Sequence, residues 1–190
     1  MNLIQSHRLA LIILSLLSFN SIAYAVDINA GKDKAGFCLH CHGAGGNSSN
    51  PQFPSLAGQR VLYLESQLKA FQSGRRVNSM MQGMVSKLSK QDISNISAYF
   101  SSLPAKSAGG GNASLAKKGQ SQIAMCTGCH GKAAKGRGRF PKLAGQQPKY
   151  IEKQLLDFKN RSRKGGPMNN VASSLSKQSI KEIAAYLGNL

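Results

Sequence analysis

Apolar residues recur at helical intervals in two separate stretches of the chain, and the two stretches carry the same stripes. Val61, Leu64, Leu68 and Phe71 fall on one helix face, and Ile151, Leu155 and Phe158 present that face again further on. A second stripe, Ile93, Ile96 and Tyr99, follows Ser89, and it returns as Ile180, Ile183 and Tyr186 after Ser176. A serine just ahead of such a stripe is a natural N-cap, because its hydroxyl oxygen accepts from the free N–H groups of the first turn. Two more segments, Asp27 to Phe37 and Ser114 to Met125, also predict helices. No stretch alternates apolar and polar positions as a half-buried strand does. The coarse expectation is three helices in each half and an all-α class.

The stripes belong to a longer repeat. Phe53-Pro54-Ser55-Leu56-Ala57-Gly58-Gln59 returns as Phe140-Pro141-Lys142-Leu143-Ala144-Gly145-Gln146, and Leu88-Ser89-Lys90-Gln91 returns as Leu175-Ser176-Lys177-Gln178, both displaced by 87 positions. Between the halves, Lys106-Ser107-Ala108-Gly109-Gly110-Gly111-Asn112 has the composition of a linker. The expected layout is a leader at 1–25, a first domain at 26–103, a linker at 104–112 and a second domain at 113–190. A domain this small needs help beyond its own apolar core, and a buried prosthetic group would supply it.

The leader is read from its pattern. Arg8 precedes an apolar run from Leu9 to Phe19, and the small-residue triplet Ala23-Tyr24-Ala25 follows, the layout of a secretory signal peptide cleaved after Ala25. The run of about 11 residues falls short of the roughly 20 a membrane-spanning helix needs, which weighs against an uncleaved anchor. Export to the bacterial periplasm is the expectation.

Charge narrows the choice of partners. The chain has 25 Lys+Arg and 7 Asp+Glu, and losing Arg8 with the leader leaves 24 against 7, a formal +17. Basic chains often bind nucleic acid, but an exported protein meets little of it and these charges form no single tract. An acidic protein partner or an anionic membrane surface is the better fit, with a generally solvated basic surface as the plain alternative.

All four cysteines lie in two Cys-x-x-Cys-His units, Cys38-Leu39-His40-Cys41-His42 and Cys126-Thr127-Gly128-Cys129-His130. The pattern reads as c-type haem attachment. Two thiols one helical turn apart can each form a thioether with a haem vinyl group, and the adjacent histidine then reaches the iron. Disulfides, thiol redox chemistry and zinc are the competing uses of such pairs. A thioredoxin-like site would sit in a βαβ pattern that this chain lacks, and neither thiol chemistry nor zinc accounts for a histidine at the same place in both units.

With these residues in view, the sequence resembles the class I cytochromes c, and specifically the dihaem cytochrome c4 type, over its whole mature length. The resemblance implies an all-α fold of two tandem cytochrome c-like domains, each around one covalent haem c. Cys38, Cys41, Cys126 and Cys129 would carry the two haems, with His42 and His130 as proximal iron ligands and a methionine before each last helix as the distal one. It also implies that Pro54 and Pro141 offer their carbonyls to the histidine rings, and that Gly31 and Gly119 pack closely against the last helices near Tyr99 and Tyr186. Register selects the methionines. Met168 is the only methionine after the second haem motif and stands seven positions before Leu175, and the same offset before Leu88 gives Met81. Met80 and Met84 are rivals to Met81 in the first half. Arg76 and Arg163 match across the repeat and are either propionate partners or solvated. His40 is expected to be exposed and non-ligating.

Histidine on one side of an iron and methionine on the other leave no open position, and such a centre exchanges electrons rather than binding substrate. The expectation is an electron-transfer protein and not an enzyme, and the resemblance implies that it carries electrons from a respiratory complex to a terminal oxidase. A haem subunit fixed on a flavoprotein dehydrogenase is a second reading, and a dihaem peroxidase with one open iron is a third.

Overall fold

The computed structural model describes residues 25–190, so all of the expected leader but Ala25 lies outside the described residues. The first half runs α1 (Ile28–Lys34), a short α2 (Leu39–His42), α3 (Val61–Gln72), α4 (Ser79–Val85) and α5 (Lys90–Ser102). The second half repeats the order as α6 (Ala113–Gln120), α7 (Ala124–His130), α8 (Pro148–Lys159), α9 (Pro167–Ser174) and α10 (Lys177–Gly188). Among the described residues there is no strand, only an isolated bridge between Arg137 and Phe140. No described helix is long and apolar enough to cross a membrane.

Each half therefore holds two short helices beyond the expected three. One carries the cysteine motif. The other, α4 or α9, carries the expected distal methionine and is too short and too mixed in polarity to show a periodic stripe. The segment from Asp27 to Phe37 is also not one helix. It ends at the Ala35 cap and continues as a 3-10 turn, Gly36–Cys38. The segment from Ser114 to Met125 breaks likewise, with α6 capped at Ser121 before α7 begins. These breaks turn the chain so that the cysteines start a new axis.

The helix starts follow from their side chains. Asp27 accepts from the Asn29 and Ala30 N–H groups at α1. Ser89 accepts from Asp92 N–H while Asp92 returns the bond to Ser89 N–H, a reciprocal capping box at α5. Ser176 caps α10 by accepting from Ser179 N–H. Each such cap is worth about 1 kcal/mol.

Packing is the same in both halves. The first helix crosses the last, α1 on α5 and α6 on α10, while the long helices α3 and α8 pack on those same last helices. The crossings are close because of glycine. A Cβ at Gly31 would run into the Asn95 carbonyl, and one at Gly119 into the Glu182 carbonyl. These contacts sit one turn before Tyr99 and Tyr186, the expected neighbours. The apolar stripes form two cores, one of Leu64, Ile96, Tyr99 and Phe100, the other of Ile151, Ile180, Ile183 and Leu187.

The 104–112 segment is tied down despite its glycines. Lys106 N–H donates to Asn47 Oδ1 at 2.8 Å, Ala108 N–H to the Gly145 carbonyl at 2.9 Å and Gly111 N–H to Asn189 Oδ1 at 3.1 Å, so it is pinned to both halves.

Candidate haem-attachment sites

The two cysteine motifs fold alike. Cys38 closes the 3-10 turn and Cys41 lies in α2, whereas Cys126 and Cys129 both lie in α7. His42 and His130 end these helices and are buried. The chain then reverses at Gly43 and Gly131, with φ of 82° and 78°, conformations that glycine adopts without a Cβ penalty.

Each histidine ring is held from two sides. His42 Nδ1–H donates to the Pro54 carbonyl at 2.8 Å, and His130 Nδ1–H to the Pro141 carbonyl at 2.9 Å. A carbonyl can only accept, so the proton sits on Nδ1 and the lone pair of Nε2 is free to point at a metal. Phe53 and Phe140 meet the rings edge-on, with centroids 6.4 and 6.2 Å away. Burial, which outweighs the bond to the proline carbonyl, lowers the pKa of each imidazole and keeps it neutral, the form that ligates.

No disulfide joins the four cysteines. Burial pushes Cys38 up to about 11 and raises Cys126 as well. Reactive and redox cysteines have lowered pKa values, so the surroundings of Cys38 and Cys126 do not favour thiol exchange. No cluster of three or more His, Cys, Asp or Glu able to hold a metal ion occurs among the described residues. What the donor set does fit is a haem held by two thioethers, with one neutral histidine already oriented.

Met81 and Met168 lie in the first turns of α4 and α9 and are half-buried. The rivals Met80 and Met84 are 56% and 40% exposed. His40 is exposed and its ring bonds the Phe37 carbonyl at 3.1 Å.

The arginines are not solvated. Arg76 lies 4.5 Å over the Phe71 ring and Arg163 4.4 Å over Phe158. Arg76 then reaches into the second half, donating to Tyr150 Oη at 3.0 Å and Gln154 Oε1 at 2.7 Å. Arg163 returns the arrangement, donating to Tyr63 Oη at 3.2 Å and Gln67 Oε1 at 2.8 Å. Burial would raise the Tyr63 phenol, but the Arg163 and Arg76 guanidiniums hold it below its usual value.

A second exchange joins the halves beside the histidines. Gln146 accepts from Ser55 N–H and donates to the Ser55 carbonyl, at 2.8 and 2.9 Å, while Gln59 accepts from Lys142 N–H and donates to the Lys142 carbonyl, at 2.8 and 2.9 Å. Each glutamine binds the residue after the partner half's proline, so the histidine supports and the interface are one structure. Gln59, Gln67, Tyr63 and their counterparts were given no role from the sequence. Their signal was the shared 87-position offset at polar sites, where a surface position needs no repetition.

The cytochrome c family model matches residues 28–104 and 116–190. Cytochrome c4 of Pseudomonas aeruginosa is 36% identical over 200 residues, covering 97% of this chain and 99% of its own. The chain belongs to the cytochrome c4 family. The crystal structure of reduced recombinant cytochrome c4 from Pseudomonas stutzeri matches with a TM-score of 0.83 at 37% identity, covering 87% of this chain and all of that one, 100%. The thiosulfate dehydrogenase electron acceptor of Thiomonas intermedia is 36% identical over 175 residues, covering 83% of this chain and 80% of its own. Two cytochrome c domains of cytochrome c4 type carry two covalent haem c groups, and the all-α tandem fold is that of the family. Cytochrome c4 is an electron-transfer protein.

Proposed function

We propose that this cytochrome c4-type chain is a periplasmic electron carrier that collects electrons from a respiratory complex and delivers them to a terminal oxidase. Cys38 and Cys41 hold the first haem and Cys126 and Cys129 the second. His42 with Met81, and His130 with Met168, would hold the two irons. When bound, each haem supplies reversible one-electron chemistry at its iron, and the chain's own residues decide that nothing else happens there.

The observation that carries this reading is the symmetry of the two histidine supports. Both rings are fixed by a proline carbonyl, both are neutral, and a half-buried methionine stands ahead of the last helix in both halves. Two closed sites favour transfer over turnover, since a peroxidase needs one site that opens. The exposure of Met80 and Met84 favours Met81 in the first half.

A second reading has a specific support. The relative from Thiomonas intermedia is named as the electron acceptor of a thiosulfate dehydrogenase, so a dehydrogenase is a plausible class of donor and a fixed dehydrogenase subunit is the competing role. Purification of the native protein separates them. A free dihaem protein supports the carrier, and a catalytic subunit that co-purifies in fixed stoichiometry replaces it with the subunit reading.

A further inference from the structure

The loop that follows the second haem motif differs from its counterpart in charge. Between His42 and Arg60 the first half has no charged residue, whereas between His130 and Lys149 the second half has Lys132, Lys135, Arg137, Arg139 and Lys142 and no acid. The halves differ in the same sense overall, with 8 basic and 4 acidic residues in 26–103 against 15 and 3 in 113–190.

We propose that the 132–142 loop is a docking surface for an acidic redox protein, which it guides to the second haem-attachment turn. This rests on the carrier reading. The loop is folded onto the turn it would serve: Gly136 N–H donates to the His130 carbonyl at 2.7 Å, and Arg137 and Phe140 exchange backbone bonds at 3.0 and 2.8 Å. The Arg137 guanidinium comes back to 3.5 Å from the carbonyl of Gly128, one of the two residues between Cys126 and Cys129. Positive charge is thus placed on the turn that carries the cysteines.

Lys132, Lys135, Arg137 and Arg139 are exposed, and none of the ion pairs among the described residues takes any of them. Lys142 is half-buried, and its ammonium is disfavoured by burial and then by Lys135, so the group is short of negative charge. Phe140, 42% exposed, sets apolar contact area among the charges. An anionic membrane would accept basic residues anywhere on the surface. Concentration of charge at one cysteine turn fits a partner that must approach that turn, and complementary charge raises encounter rates by tenfold or more.

The test compares two variants of the full dihaem protein with equal net charge. One carries Lys132→Gln, Lys135→Gln, Arg137→Gln and Arg139→Gln. The other carries Lys87→Gln, Lys90→Gln, Lys177→Gln and Lys181→Gln, all exposed and at the starts of the last helices. The reduced proteins are mixed with oxidised plastocyanin, an acidic copper protein that takes one electron per encounter, at low and high salt. Binding is read separately as the salt needed to elute each oxidised protein from a carboxylate resin.

The loop variant is expected to lose about tenfold or more in second-order rate at low salt, to converge with wild type at high salt, and to elute earlier than the control. Equal losses in the two variants, or no loss, overturn the proposal, as does binding to anionic phosphatidylglycerol vesicles that depends on the loop while the copper-protein rate does not. Oxidation by neutral benzoquinone distinguishes the failures. A wild-type protein inert to the quinone sinks the carrier reading itself, and one that reacts normally while the loop has no effect sinks only the docking surface.

Discussion

Gln59 and Gln146 make the same pair of bonds in opposite directions, and Arg76 and Arg163 do likewise, yet the loops between histidine and proline share neither length nor charge. His42 and Pro54 are 12 positions apart, His130 and Pro141 only 11. Where the halves face each other, a change in one needs a matching change in the other, so the two copies stay alike. Where they face solvent or a partner, each copy is free to differ. The contrast places symmetry at the junction between the haem supports and individuality at the outer turns.

The largest test of the symmetry is at the methionines. Met81→Ala should abolish the sulfur-to-iron absorption band of the first haem and leave the second, Met168→Ala should do the converse, and Met80→Ala should change neither. Loss of the band in Met80→Ala but not in Met81→Ala would refute the register between the halves.

Gly31→Ala and Gly119→Ala come next. Each forces a methyl against a backbone carbonyl of the last helix, and each should lower the stability of its own half by about 3 kcal/mol in denaturant unfolding. A tolerated substitution in one half alone would show that the helix crossings are not equivalent.

A smaller effect is expected at the interface. Gln59→Ala or Gln146→Ala removes two hydrogen bonds to backbone across the interface, costing about 2 kcal/mol, and the double variant should split one thermal transition into two, leaving the Gln147 bond to the Ser48 carbonyl and the arginine network to join the halves. A single sharp transition in the double variant would move the weight of the junction to the arginine network.

The smallest effect probes the outer turn. Ala133 and Ala134 hold φ of 51° and 54°, where the first half has Gly45 and Gly46 at 58° and 71°. An alanine in this region is strained by about 1 kcal/mol or more. Ala133→Gly, at an exposed position, should therefore raise the stability of the second half by up to about 1 kcal/mol, and no gain would mean that the turn's strain is relieved elsewhere.

The sequence was most legible where one interaction dominates a long stretch. The stripes of α3, α5, α8 and α10, the serine caps and the spacing of Cys38, Cys41 and His42 each have one physical cause and leave a regular trace. Less legible were α4 and α9, whose few residues bury only Val85 and Ala172. The roles of Arg76 and Arg163 could not be read at all, because a stacked, cross-bonded guanidinium and a solvated one look identical in one dimension. The 104–112 segment misleads in the other direction: its glycines suggest freedom, but Gly109 N–H and Gly111 N–H are both bonded to the end of the second half.

The optical spectrum of the purified protein, taken ferric, then ferrous, then ferrous under carbon monoxide, bears most directly on whether both sites are closed. Two methionine-ligated low-spin haems, neither taking up carbon monoxide, are expected. Ready binding at one haem would mean an open iron, and the chain would have to be treated as an enzyme rather than a carrier.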